Sequence, residues 1–327
     1  MLTSAVTLAV NPAQWVDDSS VEDGLQIPTD EELDAFDPDT LDLDLDYNDA
    51  ESLEFCTTNE LAMSNEYVQE YKIPTACTQP LAITVDHSGI VWFAQTNTGK
   101  VASFDPLTET FTEYDNPVWD ETEKSFILSA IKNDVPPKKL RSMMWGIDAL
   151  PDGSIWYTAR IPIQVEDTKV YFIGVLWKFS TDTKSYNLIP YSQQGDYNSM
   201  PQKLSIEGSK IIINDFTSGK LSFLDYAQDK QGLMHVAIPA VFPDAFTSGF
   251  AIDSDKNVWY TNWIPADQGI LVKFDYPAYQ IQLTQGEVTQ GLLLQDFVEW
   301  YNFPTGLTTP NGVAVGPDQK IWLADTS

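Results

Sequence analysis

Five stretches of the chain share one alternation of apolar and polar positions, and that alternation predicts paired β-strands. They are Pro80–Gln95 (PLAITVDHSGIVWFAQ), Met144–Ala159 (MWGIDALPDGSIWYTA), Pro201–Phe216 (PQKLSIEGSKIIINDF), Thr247–Asn262 (TSGFAIDSDKNVWYTN) and Pro310–Asp325 (PNGVAVGPDQKIWLAD). In each, an opening residue leads into an alternating run, a polar turn follows, and a second apolar run closes the unit. Twelve residues after the opening stands Trp92, Trp156, Ile213, Trp259 or Trp322. The turns Asp86-His-Ser-Gly89, Pro151-Asp-Gly153 and Asp253-Ser-Asp-Lys256 have hairpin chemistry. Their Gly, Asp and Ser residues tolerate or stabilise the backbone angles of a tight reversal.

A second pair of strands follows each of the first four hairpins, beginning at Gly99, Gly174, Gly219 and Gly269. Four antiparallel strands, repeated in one register, make the blade of a β-propeller. The pattern therefore predicts an all-β propeller with about five blade units visible and the last incomplete. Successive key positions lie 64, 57, 46 and 63 residues apart, so the blades carry insertions, expected at 117–142, 160–173 and 277–307. The sequence stops at Ser327, after the second strand of the fifth unit, which predicts a propeller domain over 55–327 truncated on its C-terminal side. The segment Val68–Pro74 has the look of a blade's last strand, like Phe111–Tyr114, and is expected to pair with the C-terminal blade.

Composition then separates the N-terminal part from the rest. The 327 residues carry a formal charge of −30, and 16 of the acidic side chains lie between Asp17 and Glu54, before the first cation at Lys72. Self-repulsion and little apolar surface make residues 1–54 an acidic arm, expected to be disordered. Asp42, Asp44 and Asp46 are spaced like calcium ligands, but Tyr47 and Leu53 stand where an EF-hand loop needs Gly and Glu. Such a charge balance excludes nucleic acid as a partner, because that binding relies on Lys and Arg displacing counterions. No run approaches 18 consecutive apolar residues, so no transmembrane segment is read. The apolar start Met1–Val10 has no basic residue before it and reads either as a frayed terminus or as the interior of a signal sequence. Cys56 and Cys77 bracket a strand-like segment and could pair in an exported protein, or remain as two buried thiols. Location is thus read as extracytoplasmic, with a cytoplasmic alternative.

The string Pro-x-x-Ile/Val-x-x-Asp-x-x-Gly-x-Ile/Val-Trp-Phe/Tyr, followed by Gly-Lys-Val, Phe-Asp-Pro-x-Thr and a Glu-Tyr strand, resembles the streptogramin B lyase (Vgb)-like propellers. The likeness runs from about Val68 to Ser327, and NHL-repeat and SMP-30/gluconolactonase propellers share parts of it. The resemblance implies an elimination reaction that uses magnesium, a His pair and a Glu near the central channel. Here the only histidines are His87, in a hairpin turn, and His235, on an expected outer strand. The positions after the blade openings hold Leu81, Trp145, Gln202, Ser248 and Asn311. Those three residues beyond the key aromatic hold Gln95, Ala159, Phe216, Asn262 and Asp325. Neither set contains His or Glu.

The fifth unit also resembles the Pro-Asn-Gly and Ala-Asp segments of SMP-30/gluconolactonase propellers, where Asn and Asp belong to a divalent-cation site and the Asp can act as base. The match gives Asn311 and Asp325 as candidate metal ligands, Asp325 as candidate catalytic base, and Gln95 and Asn262 as further donors. Calcium or magnesium is the cofactor so implied. Two readings follow. One is an exported propeller that binds a small-molecule or protein ligand at its channel face, or serves as an assembly scaffold. The other is a metal-dependent enzyme, lyase-like or lactonase-like.

Overall fold

The structure is a computed structural model that describes residues 64–75, 78–96, 98–119, 144–166, 169–191, 199–216, 220–225, 234–239, 245–264, 268–284, 296–303, 307 and 309–325. The acidic arm, Asp42–Asp46, Cys56, Cys77 and most of the 117–142 insertion lie outside these residues. Two compact units divide the chain, Met1–Tyr197 and Asn198–Ser327.

The first unit holds two antiparallel four-stranded sheets. One runs β1 (Pro80–Val85), β2 (Val91–Gln95), β3 (Lys100–Asp105), β4 (Thr110–Tyr114), in that order across the sheet. The other runs β5 (Ile147–Ala149), β6 (Ser154–Glu166), β7 (Lys169–Ser180), β8 (Tyr186–Pro190). The expected insertion at 160–173 is built of strand. It lengthens β6 and β7 into a ribbon whose ladder continues from Ile161↔Ile173 to Glu166↔Lys169, with one irregularity between Pro162 and Gln164.

The hairpins close for an identifiable reason. Asp86 accepts the backbone N–H groups of Ser88 (2.8 Å) and Ile90 (3.0 Å) on one carboxylate oxygen and the indole Nε1–H of Trp92 (2.8 Å) on the other. One side chain thereby caps the turn and fixes the key tryptophan. In the second blade the same task passes through a relay, with Trp156 donating to Ser154 Oγ (2.9 Å) and Ser154 donating to Asp152. Side chains alternate between sheet faces, and the Trp92 face of the first sheet packs on the opposite face of the second. Phe179 lies 6.0 Å from Trp92 and 4.8 Å from Tyr114, and Tyr186 donates to the Tyr114 carbonyl (2.8 Å). Tyr157 and Trp177 are fully buried behind them.

The segment 64–75 forms no strand. It lies over the other face of the first sheet, with the Tyr71 ring 4.5 Å from Phe104 and Ile73 against Phe93, Ala102 and Phe104. Tyr71 and Ile73 are two apart, so both side chains point at the sheet. The segment is held by its side chains, not by a ladder as the sequence led us to expect.

The second unit begins with β9 (Pro201–Glu207), β10 (Lys210–Asp215), β11 (Lys220–Asp225) and β12 (Met234–Pro239), again an antiparallel four-stranded sheet. In the next blade the first strand is split into β13 (Phe246–Thr247) and β14 (Ala251–Ile252), both pairing with β15 (Val258–Ile264), which pairs with β16 (Gln268–Phe274). A helix, α1 (Tyr276–Thr284), follows, capped by the Asp275 carboxylate, which accepts the Ala278 N–H (3.0 Å). The fourth strand, β17 (Val298–Asn302), lies inside the range 277–307 that spacing alone assigned to an insertion. A last hairpin pairs β18 (Pro310–Val315) with β19 (Ile321–Asp325). The fold class expected from the repeat, an all-β propeller of four-stranded blades, is the one the sheets display.

The packing rule of the first unit recurs here. Ile212, Leu221 and Phe223 of one blade meet Phe250, Val258, Tyr260 and Val272 of the next. Asp253 repeats the turn clamp, accepting from Asp255 and Asn257 N–H groups and from Trp259 Nε1 (2.8 Å). In the last hairpin Gly316 replaces that aspartate, and Trp322 is left 63% exposed.

Candidate functional site

The ends of the second strands, opposite the blade openings, are where the sequence placed its candidate donors. The ladders pair Pro80 with Gln95, Thr247 with Asn262 and Pro310 with Asp325, as the repeat register requires. In the third blade they pair Pro201 with Asp215, not with Phe216. The cause is the turn: Glu207 and Lys210 pair directly around Gly208 and Ser209, whereas Val85 and Val91 enclose five residues. The fixed twelve-residue spacing therefore runs one residue too far, and Ile212, not Ile213, matches Trp92. Asp215 was missed for that reason. The signal that could have found it is the short Glu207-Gly208-Ser209-Lys210 turn.

Each of these polar groups is engaged within its own unit. In the first unit Gln95 is fully buried, donating to Glu113 (2.7 Å) and accepting from Thr98 Oγ1 (2.9 Å). Glu113 also takes the Thr75 hydroxyl (2.6 Å) and the Thr75 N–H (3.3 Å), which ties the segment 64–75 to β4. Burial works to raise the Glu113 pKa, but the hydrogen bonds from Thr75 and Gln95 outweigh it and hold the carboxyl below its ordinary range. Ala159 brings no polar side chain, and the residue after it is Arg160.

In the second unit the Asp215 carboxylate accepts the Ser199 hydroxyl in a short hydrogen bond and the Met200 N–H at 2.7 Å. Asp325 accepts both the N–H (3.0 Å) and the hydroxyl (2.9 Å) of Thr309. Both aspartates thus hold the residues that lead into their own blade's first strand. Asn262 is fully buried and donates to the Thr247 hydroxyl at 3.3 Å. Asn311 lies beside the Pro310↔Asp325 pair, and its Oδ1 is buried with no hydrogen-bond partner. Lys203 on β9 donates to the Phe250 carbonyl and stands over the Phe250 ring; desolvation lowers its pKa. His87 is exposed in the β1–β2 turn, and His235 is on β12, the strand at the end of its sheet.

The lyase set of two His and a Glu therefore has no counterpart on these strand ends. Among the described residues no group of three or more His, Cys, Asp or Glu side chains is gathered to hold a metal. A hard cation takes six to eight oxygens, and Asn311 and Asp325 bring one amide oxygen and one carboxylate already bound to Thr309.

The sequence matches no protein-family model and no curated protein. In fold it is similar to virginiamycin B lyase of Staphylococcus aureus, at 15% identity over 76% of this chain and 64% of that one, with a TM-score of 0.48. A streptogramin B lyase structure is similar at 15% identity over 79% and 80% of the two chains (TM-score 0.41), and a putative 6-phosphogluconolactonase of Bacteroides uniformis at 11% over 75% and 78% (TM-score 0.37). The chain spans 64% of the length of the Staphylococcus aureus lyase. Likenesses at such identities and TM-scores carry no statement about what this chain does. No helix among the described residues is long and apolar enough to cross a membrane.

Proposed function

We propose that this chain is a ligand-binding propeller of the Vgb-like type, exported from the cell, in which the strand-end residues of the lyase and lactonase relatives serve as structural clamps. One observation carries the reading: Asp215 and Asp325 both accept hydrogen bonds from the residues that enter their blades, Ser199 with Met200 and Thr309. A carboxylate fixed in this way holds a loop; a general base needs a free lone pair within reach of the substrate proton. The ligand is a small molecule or a peptide segment, taken up at the ends of the second strands. To test it, purified protein is incubated with a streptogramin B depsipeptide and with gluconolactone, with magnesium and calcium present. The expected result is no ring opening above the uncatalysed rate. Turnover that disappears in Asp325→Asn would overturn the scaffold reading.

A second reading has one observation in its favour. Asn311 Oδ1 is a buried acceptor without a donor, next to the pair that contains Asp325. A divalent cation held by these two oxygens would supply the Lewis acid that a lactonase needs. Calorimetry with calcium and with magnesium separates the two: under this second reading heat is released by the wild type and lost in both Asn311→Ala and Asp325→Asn. Equal heats from all three proteins would move any binding to the acidic arm.

A further inference from the structure

Arg160 carries the one guanidinium among the described residues. It follows Ala159 on β6, one step beyond the position at which β2 ends at Gln95 and β19 at Asp325. Strand alternation puts its side chain on the face shared by Trp156 and Thr158. Across the ladder stands Gly174, which has no side chain, with Phe172 and Leu176 on the same face to either side. The guanidinium carbon lies 4.0 Å from the centre of the Phe172 ring. Its Nε is buried and has no hydrogen-bond partner, and no carboxylate among the described residues forms an ion pair with it.

This is an unusual state for a cation in a chain with 48 acidic and 18 basic residues. Lys100, Lys256 and Lys320 each hold a carboxylate within 2.9 Å. Arg160 instead sits half-buried with only an aromatic face beneath it, and desolvation alone lowers its pKa. A desolvated charge without a counter-charge opposes folding, and what would compensate it here is an anion from outside the described fold.

We propose that Arg160, seated on Phe172 opposite Gly174, is the subsite for a carboxylate group of a small-molecule ligand. This rests on the ligand-binding reading above and names the chemistry of the ligand. A guanidinium stacked on a ring has its plane fixed, so its N–H edge is presented as a fork that matches the two oxygens of a carboxylate. One positive charge in a strongly anionic molecule balances a single negative charge; a dianionic phosphate would remain repelled.

The probe is sodium benzoate, with benzamide as its neutral counterpart. Nitrogen-15 labelling of arginine gives two Nε–H resonances, from Arg141 and Arg160, and Arg160→Lys assigns them. Benzoate should shift the Arg160 resonance saturably and leave Arg141 in place, while benzamide moves neither. Arg160→Lys should weaken benzoate by about tenfold, since the ammonium lacks the fork, and Arg160→Gln should abolish the binding. Arg160→Met should melt above the wild type when no ligand is present, because an uncompensated charge has been removed. An unmoved Arg160 resonance at saturating benzoate, an equal response to benzamide, or benzoate binding retained by Arg160→Gln each overturns the subsite. Benzoate bound elsewhere with Arg160 unmoved would leave the scaffold reading in place, whereas depsipeptide turnover would end that reading without touching Arg160.

Discussion

Trp92, Trp156, Trp259 and Trp322 occupy equivalent places on their second strands, yet they do not carry equal weight. Trp92 and Trp156 are 5% and 3% exposed, and Trp322 is 63% exposed. Replacing Trp92 with Ala should cost about 3–5 kcal/mol of stability, while the same change at Trp322 should stay within about 1 kcal/mol; denaturant titration of the two variants checks the contrast. The aspartates that hold the indoles add a pH dependence. Burial works to raise the pKa of Asp86 and of Asp253, but hydrogen bonds from Trp92 and Trp259 and from turn N–H groups prevail, and both are held below the ordinary range. A depressed carboxylate stabilises the fold fully above its unfolded pKa of about 3.9 and loses that contribution as pH falls through the lower folded value. The double variant Asp86→Asn, Asp253→Asn should therefore show a shallower loss of melting temperature below about pH 4 than the wild type. A slope identical to the wild type would remove these two groups from the acid transition.

At the scale of elements, what the sequence disclosed depended on whether an element kept its period. The hairpins were legible because alternation, turn residues and tryptophan recur together in four of the five units. The ribbon β6–β7 was not, because Arg160–Glu166 and Lys169–Ile173 extend an existing ladder and carry no turn signal of their own. Strand β17 was hidden behind helix α1, whose insertion moves it far from β16 in sequence. Of the candidate site, Gln95 and Asp325 end their strands and Asn262 pairs with Thr247 two residues before the end of β15, but their hydrogen-bond partners Glu113, Thr247 and Thr309 are residues that no spacing singles out. Turns offer a paired test of the local physics. Gly99 has φ +65° and its added Cβ would lie 2.2 Å from the Trp119 ring, whereas Gly208 has φ +61° and open space around it. Gly208→Ala should cost about 1 kcal/mol from backbone strain alone. Gly99→Ala should cost at least about 2 kcal/mol more, from overpacking against a buried ring. Similar melting temperatures for the two variants would contradict the close approach of Trp119.

For the molecule as a whole, charge is sorted along the chain. Removing residues 1–54 takes away 16 of the 48 acidic residues and should leave the melting temperature nearly unchanged; a loss of several degrees would show that the arm is docked. Export has its own test, since protein recovered from outside the cell should carry Cys56 and Cys77 as a disulfide, lighter by two hydrogens in non-reducing mass analysis. The third blade's short turn has a longer reach than its own hairpin. Around Gly208 the chain has lost a residue relative to its sister blades, yet Ile212 still meets the neighbouring core, because strand pairing begins afresh after every turn. A change of length at such a turn is consequently absorbed without disturbing the packing, while the same change inside a strand would turn every later side chain to the wrong face. An ancestral duplication could thus drift in the length and wording of its copies until alignment no longer joins them, and still inherit the same architecture.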